Sequence, residues 1–181
     1  GNDFVAVAAG QDWGLALRNN GSLVSFGPNA VAALGEIPDA NAFAGISGGG
    51  GAAALNLYAG IRDFPDSSNY FGISIGVARG TDHTLALYST GVAEGQGIVS
   101  PALTFSQGPY VAIAAGNKSS FGLKEDGTIV AWGDAANPAV TAANIPVNNP
   151  ANKFVAISAA GNHAIALRAN GTVVYWGQAD D

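Results

Sequence analysis

Two histidines, His83 and His163, are the residues of this chain best suited to metal or proton chemistry. They follow the same recurring turn in two different segments, so they could meet and share a metal ion with Asp12 or Asp82. Neither histidine has a second ligand two or four residues away, which is the spacing of short metal-binding motifs. The sequence therefore favours a hydrogen bond from each histidine to a neighbouring repeat, and it predicts neither a metal site nor a cofactor.

Groups for covalent or acid–base catalysis are sparse. The 181 residues include no cysteine, so a thiolate nucleophile and a disulfide scaffold are excluded. Carboxylate pairs such as Asp63 with Asp66, or Asp180 with Asp181, stand in an irregular linker and at the chain terminus, where a solvated surface is favoured over acid–base work. The sequence predicts that the protein is not an enzyme, and it assigns no catalytic residue.

The charge balance excludes a further class of partner. With seven Lys and Arg residues and a net charge of −6, the chain cannot supply the phosphate-neutralising surface that nucleic acids require. The uncharged stretch from Ala40 to Ile61 is about as long as a membrane span, but its many glycines suit a lipid-facing helix poorly. We expect neither nucleic-acid binding nor a membrane span.

Internal repeats decide the predicted fold. Within each copy, apolar residues alternate with small ones, as Leu15 and Leu17 do with Gly14 and Ala16, and this period of two is typical of a half-buried strand. In the copies at 4–27, 110–133 and 154–177, an Asn-Gly or Asp-Gly dipeptide then predicts a two-residue hairpin before a third strand, which is β-branched and aromatic in the last two. The copies span residues 4–27, 43–61, 70–97, 110–133 and 154–177.

Such copies predict one all-β domain over residues 1–181, a β-propeller of about five repeats of roughly 36 residues. The ring closes with few blades, or the chain is part of a longer protein, or a partial ring is completed by association. Prolines between the copies suit loops or outer blade edges, because proline cannot donate to a strand ladder.

Residues 154–177, with the sequence FVAISAAGNHAIALRANGTVVYWG, resemble the regulator-of-chromosome-condensation repeat, as do residues 4–27 and 110–133. The likeness is greatest to a short-repeat branch that includes a bacterial β-lactamase inhibitor. The resemblance implies a propeller that binds other proteins through the loops after each small-residue turn, although β-lactamase binding is not implied. On this chain it places a partner-binding face at Asp12, Trp13, Asp82, His83, Lys118, Ser119, Asn162 and His163, with Trp13 as the large aromatic anchor.

The leading functional hypothesis is a non-catalytic propeller for protein–protein recognition or assembly, located outside the cell or on a surface. Its partner would be another protein or further copies of itself. Two alternatives stay open: a carbohydrate-binding propeller, and a self-assembling subunit of a filament or coat whose unpaired strand edges recruit other chains. Candidate glycosylation sequons begin at Asn20, Asn117 and Asn170.

Overall fold

The computed structural model describes residues 3–10, 12–28, 43–48, 52–56, 60–64, 69–70, 74–97, 104–105 and 108–178. In these residues the chain folds into five antiparallel sheets, which we call blades 1 to 5 in chain order. The only helices in the described ranges are two single 3₁₀ turns, Pro138–Val140 and Pro150–Asn152. The predicted all-β class is confirmed.

Each blade is an up-and-down meander whose strands pair in chain order. Blade 1 has three strands, β1 (Phe4–Ala9), β2 (Gly14–Arg18) and β3 (Leu23–Phe26). Blade 2 has four strands, β4 (Phe43–Gly48), β5 (Ala52–Asn56), β6 (Gly60–Phe64) and β7 (Asn69–Tyr70). Blade 3 also has four, β8 (Ser74–Arg79), β9 (His83–Tyr88), β10 (Ala93–Gly97) and β11 (Thr104–Phe105). Residue 70 therefore pairs within blade 2, whereas the sequence placed it at the start of the third repeat.

Blades 4 and 5 have three strands each and lie in the part of the chain that includes the two 3₁₀ turns. The strands of blade 4 are β12 (Tyr110–Ala115), β13 (Ser119–Lys124) and β14 (Ile129–Gly133). Those of blade 5 are β15 (Phe154–Ala160), β16 (His163–Arg168) and β17 (Val173–Gly177). The first strand of every blade has a register shift just after its first residue. This repeated β-bulge turns the next side chain outward, and Val5, Val111 and Val155 are exposed as a result.

The hairpin turns differ in one respect from the prediction. A two-residue turn of the expected type needs positive φ at both central residues, but in blade 1 only Gly21 has it, at 82°. The Gly21 N–H donates to the carbonyl of Arg18, and the Asn20 side chain accepts from the Ser22 N–H. The connection is thus a longer turn that ends in a left-handed glycine. The hydrogen bond from the Ser22 N–H to the Asn20 side chain stabilises this turn.

The core lies between blades rather than within one sheet. The face of blade 4 that carries Phe121, Leu123 and Ile129 packs on the face of blade 5 that carries Ala164, Ala166 and Trp176. We call the first kind the front face of a blade and the second its back face. Blade 3 packs its front face on the back face of blade 4 in the same way.

The first strands of all five blades line one central cavity of about 290 Å³. Small residues such as Ala8, Ala114 and Ala159 stand on these strands where neighbouring blades approach one another. Sheets with their first strands around a common hub form a β-propeller, and the predicted propeller fold is confirmed. The loops at either end of the hub are therefore held by rigid strands.

A polar groove between blades 4 and 5

A groove of about 450 Å³ lies where the first turns of blades 4 and 5 meet the segment after β14. Its polar lining comes from Asn117, Lys118, Asp134, Asn137, Asn162 and Gln178. The first turn of each blade joins its first two strands, and the last strand ends beside it, which brings these distant residues together. The lining residues from Asn117 to Asn162 lie in segments between strands, and Gln178 directly follows the last strand of blade 5.

Four side-chain amides form a connected hydrogen-bond network along this groove. The Asn117 Nδ2 donates to Asn162 Oδ1 at 3.1 Å, and Asn162 Nδ2 donates to Gln178 Oε1 at 3.0 Å. Buried Asn137 donates through Nδ2 to the Asn117 carbonyl at 2.5 Å, while its Oδ1 accepts from the Ala139 N–H at 2.9 Å. Amides fixed in this way present donors and acceptors in defined directions.

Lys118 adds an exposed positive charge on a strained turn. Its φ is 50°, in the left-handed region that non-glycine residues rarely adopt. The turn is held because the Asp134 N–H donates to the Lys118 carbonyl at 2.9 Å. Gly133 allows this approach, since a Cβ at that position would collide with the same carbonyl oxygen.

The structure divides the predicted partner-binding residues into two groups. Asp12 and Lys118 are exposed, and Asp82, Asn162 and His163 are half-buried. Trp13, His83 and Ser119 are buried, with 7%, 2% and 0% of their surface exposed. The expectation that Trp13 and His83 project from the face is therefore wrong, and Ser119 of the predicted face is buried as well.

The physical reason for this burial is the register of the second strand. Trp13, His83 and Ser119 stand at the point where each blade returns from its first turn, and the returning strand carries them inward. The indole of Trp13 fills the space left by Gly10, where a Cβ would collide with the ring. Whether the remaining face binds a partner stays a prediction, and only Lys118 and Asn162 of the predicted set line the polar groove.

His83 takes part in a buried chain of hydrogen bonds. Its Nδ1 lies 3.2 Å from Asp82 Oδ1, and its Nε2 lies 2.8 Å from the Ser120 Oγ of blade 4. The order Asp–His–Ser matches that of hydrolase triads, but Ser120 is buried with 1% of its surface exposed, so a substrate cannot reach the hydroxyl. The bond joins blade 3 to blade 4, which is the role that the sequence favoured for the histidine.

Burial in this position lowers the pKa of His83, and the hydrogen bond and charge of Asp82 oppose that change. Across the described ranges, no group of three or more His, Asp and Glu side chains is arranged to hold a metal ion.

Ser47 stands in a Gly-x-Ser-x-Gly pattern, residues 45–49, that marks the nucleophile of some hydrolases. That motif requires a sharp turn from a strand into a helix. Here Ser47 lies within β4, and its Oγ accepts from the Arg79 N–H at 2.9 Å. The Ser47 hydroxyl therefore forms a hydrogen bond between blade 2 and blade 3, and the pattern does not form a nucleophile elbow.

Sequence reasoning missed Asn137, Gln178 and Ser120. For Asn137 a signal existed, because an Asn-Pro pair commonly begins a turn, and here Asn137 caps the Pro138–Val140 turn. Gln178 and Ser120 carry no such local signal, since their partners are 16 and 37 residues away along the chain.

The three sequons have different surroundings. Asn20 and Asn170 are exposed at hairpin turns, where their side-chain oxygens accept from Ser22 and Thr172 N–H groups. Asn117 is half-buried, its Nδ2 donates to Asn162, and the Ser119 of its sequon is buried.

Expression in a eukaryotic secretory pathway should therefore modify Asn20 and Asn170 and leave Asn117 unmodified. Glycosidase-sensitive gel shifts and peptide mass spectrometry measure the occupancy of each site. Asn170→Gln should remove one shift, and the matched variant Asn117→Gln should remove none. A glycan found on Asn117 would contradict this prediction, because the amide nitrogen would have to leave its network.

Residues 110–137 match the family model of the regulator of chromosome condensation (RCC1) repeat. The match covers blade 4. The predicted resemblance is thereby confirmed for the family, while the short-repeat branch stays a prediction. No curated protein matches the sequence.

Solved structures of similar fold include receptor ectodomains. The ectodomain of receptor kinase CR4 from Physcomitrella patens aligns with 96% of this chain and 54% of its own at 22% identity and a TM-score of 0.77. The CRINKLY WD40 ectodomain of ACR4 from Arabidopsis thaliana aligns with 97% of this chain and 72% of its own at 18% identity and a TM-score of 0.76. These identities establish a shared fold.

Yeast RCC1 (Prp20), solved bound to Kap60, aligns with 96% of this chain and 43% of its own at 19% identity and a TM-score of 0.50. This chain therefore spans about half the length of the CR4 ectodomain and less of yeast RCC1. No helix among its described residues is long and apolar enough to cross a bilayer.

Proposed function

We propose that this RCC1-type propeller is a non-catalytic recognition domain that binds a protein partner at the polar groove between blades 4 and 5. The amide network from Asn137 to Gln178 carries this proposal. Its members are already fixed by one another, so a partner would not have to order them, and ordering flexible side chains is a main cost of binding. A groove of about 450 Å³ is within the usual size range of binding sites.

The chemistry of the groove suits a polypeptide segment. Side-chain amides can pair with the backbone N–H and C=O groups of a chain laid across them, as Asn137 already does with the Asn117 carbonyl. Exposed Lys118 and half-buried Asp134 place opposite charges on the rim of the groove, where charge controls encounter and register rather than raw affinity.

Three solved structures of similar fold support a protein partner and a surface location. Yeast RCC1 has been solved in complex with the protein Kap60, and the CR4 and ACR4 propellers are receptor ectodomains. We extend the same kind of use to this chain, outside the cell or on its surface.

Carbohydrate binding is the second candidate, because amides and the Asp134 carboxylate can also pair with sugar hydroxyls. The burial of Trp13 weakens this candidate, since it removes the aromatic platform on which a sugar ring would stack. A glycan array probed with the purified chain distinguishes the two functions.

The direct test screens the chain against a panel of purified secreted and cell-surface ectodomains. For a binding ectodomain, we expect Lys118→Glu to weaken affinity by roughly tenfold or more, since it reverses a charge on the groove rim. Lys124→Glu is the matched control, because Lys124 ends the strand that begins beside Lys118 and so lies at the far end of the blade. Equal effects of the two variants, or binding to glycans alone, would overturn the proposal.

A further inference from the structure

Backbone groups at one end of the amide network fix which way each side-chain amide faces. The Oδ1 of Asn137 accepts from the Ala139 N–H, so its Nδ2 faces the opposite way. There it donates to the Asn117 carbonyl and, at 3.3 Å, to Asn162 Oδ1. Because Asn162 Oδ1 also accepts from the Asn117 side chain, both of its lone pairs are used, and the Nδ2 of Asn162 faces Gln178. The network therefore runs in one direction, from Asn137 to Gln178.

This direction leaves hydrogen-bond donors in the majority at the surface of the groove. Gln178 is exposed and accepts through Oε1, so both N–H groups of its Nε2 stay available. Asn117 and Asn162 each keep one N–H, since each Nδ2 makes one hydrogen bond. Lys118 adds an exposed ammonium that forms no ion pair in the part of the chain that the structure describes. The main acceptors that remain are Asn117 Oδ1 and the Asp134 carboxylate, so a ligand has to supply mostly acceptor oxygens.

The equivalent junction between blades 3 and 4 has a backbone hydrogen bond but no amide network. There the Thr81 N–H donates to the Gly116 carbonyl at 3.2 Å. Between blades 4 and 5 the Asn117 N–H donates likewise to the Gly161 carbonyl at 2.7 Å, so this backbone bond is common to both junctions. The side chains of Thr81 and Lys118 occupy the places of the paired asparagines, and among the described residues no hydrogen bond joins them. The amide network is therefore an addition to the bond that holds these blades together.

We infer that the groove binds an extended segment of the partner that carries one aspartate or glutamate, and this inference rests on the proposed function. The carboxylate of that residue pairs with the ammonium of Lys118, whose left-handed turn lies at the rim of the groove. A backbone carbonyl of the segment accepts from Gln178 Nε2, and a backbone N–H donates to Asn117 Oδ1. From Asn117 to Gln178 the amides in series span at most roughly 12 Å, which is the reach of three or four extended residues.

Other ligands with acceptor oxygens fit the groove less well. A sulfate or dianionic phosphate group has no hydrogen to donate to Asn117 Oδ1, and the half-buried Asp134 would repel it. A run of acidic residues would be repelled by the net charge of −6 on the chain. A single carboxylate on a peptide avoids both conflicts, because the peptide backbone supplies donors as well as acceptors.

The test screens a displayed library of random linear peptides against the purified chain, and fluorescence anisotropy then gives the Kd of each enriched peptide. We expect the enriched peptides to share one Asp or Glu. Lys118→Glu should weaken their binding by roughly tenfold or more, since it reverses the paired charge. Exchanging the acidic residue of the peptide for lysine should then restore binding to Lys118→Glu and abolish binding to the unmodified chain, a result that a general loss of structure cannot produce.

Gln178→Glu tests the other end of the network. Glutamate keeps the oxygen that accepts from Asn162 and replaces the available N–H groups by a second oxygen. The affinity should therefore fall by roughly fivefold or more. Asn20→Asp is the matched control, because it adds the same charge at an exposed turn outside the groove and should change the Kd by less than about twofold. Equal effects of the two substitutions, or enriched peptides without an acidic residue, would overturn the inference.

The ectodomain screen separates this inference from the proposed function. An ectodomain that loses affinity with Lys118→Glu, while no linear peptide is enriched, would support the proposed function and overturn the inference, because the groove would then accept a folded surface rather than a segment. Glycan binding without peptide or ectodomain binding would overturn both.

Discussion

Replacing Phe121 by alanine is expected to lower the free energy of unfolding by about 3–5 kcal/mol, the largest single effect that the structure supports. The ring of Phe121 is fully buried between blades 4 and 5, and it meets the ring of Trp176 edge-to-face with centroids 5.9 Å apart. The substitution would leave a cavity at the blade interface and would remove this aromatic contact.

Urea unfolding followed by tryptophan fluorescence and by circular dichroism measures this loss. Val111→Ala is the matched control, because Val111 lies in the same sheet but is 55% exposed, and we expect its cost to stay below about 1 kcal/mol. Comparable costs for the two variants would show that Phe121 is not at a packed interface, and the description of the inter-blade core would then fail.

The second large effect concerns His83 and acid stability. The pKa of His83 is lowered below its ordinary value of 6.5 in the folded protein, chiefly by burial. In the unfolded chain the imidazole regains its ordinary pKa, so below about pH 6.5 the unfolded state binds more protons than the folded state. The free energy of unfolding should therefore fall as the pH decreases from 6.5 towards the lowered pKa, and this contribution should level off below it.

Denaturant titrations between pH 8 and pH 5 test the prediction. His83→Gln should flatten the decline, because glutamine does not titrate, although it should also reduce stability at pH 8 by disturbing the bond to buried Ser120. His163→Gln is the control, and the decline should persist in it because His83 is unchanged. A decline of equal slope in His83→Gln would assign the acid sensitivity to other groups.

The blade interfaces explain why these effects should exceed those at the groove. A blade that lies between two others buries apolar residues on both faces, and an interior residue such as Phe121 stabilises two sheets at once. Most groove residues are partly exposed, so water can replace the hydrogen bonds that a substitution removes. Substitutions in the groove should therefore affect binding more than folding.

Much of the architecture was accessible from the repeats. Alternation in segments such as 14–18, and a glycine after Asn or Asp in the hairpins of blades 1, 4 and 5, indicate short antiparallel strands, and the structure has them. These features are local, and each recurrence along the chain repeats the same evidence. The prediction of a histidine bonded across blades also agrees with the structure at His83.

The site was less predictable, because it depends on side-chain direction and on distant partners. Trp13 was expected as an exposed anchor, but its burial beside Gly10 depends on how the returning strand packs on the first turn. The amide network joins Asn117, Asn137, Asn162 and Gln178, which the sequence separates by up to 61 positions and which no local pattern relates.

The sequence by itself determined that this chain consists of repeated antiparallel strand units, since strand period, turn chemistry and the RCC1-type pattern are all properties of neighbouring residues. Only the tertiary structure decided which equivalent residues are covered. Leu123 and Leu167 occupy equivalent positions in similar repeats, yet Leu123 is buried and Leu167 is exposed. Burial depends on which blade packs against a given face, and the sequence of one repeat does not specify that neighbouring blade.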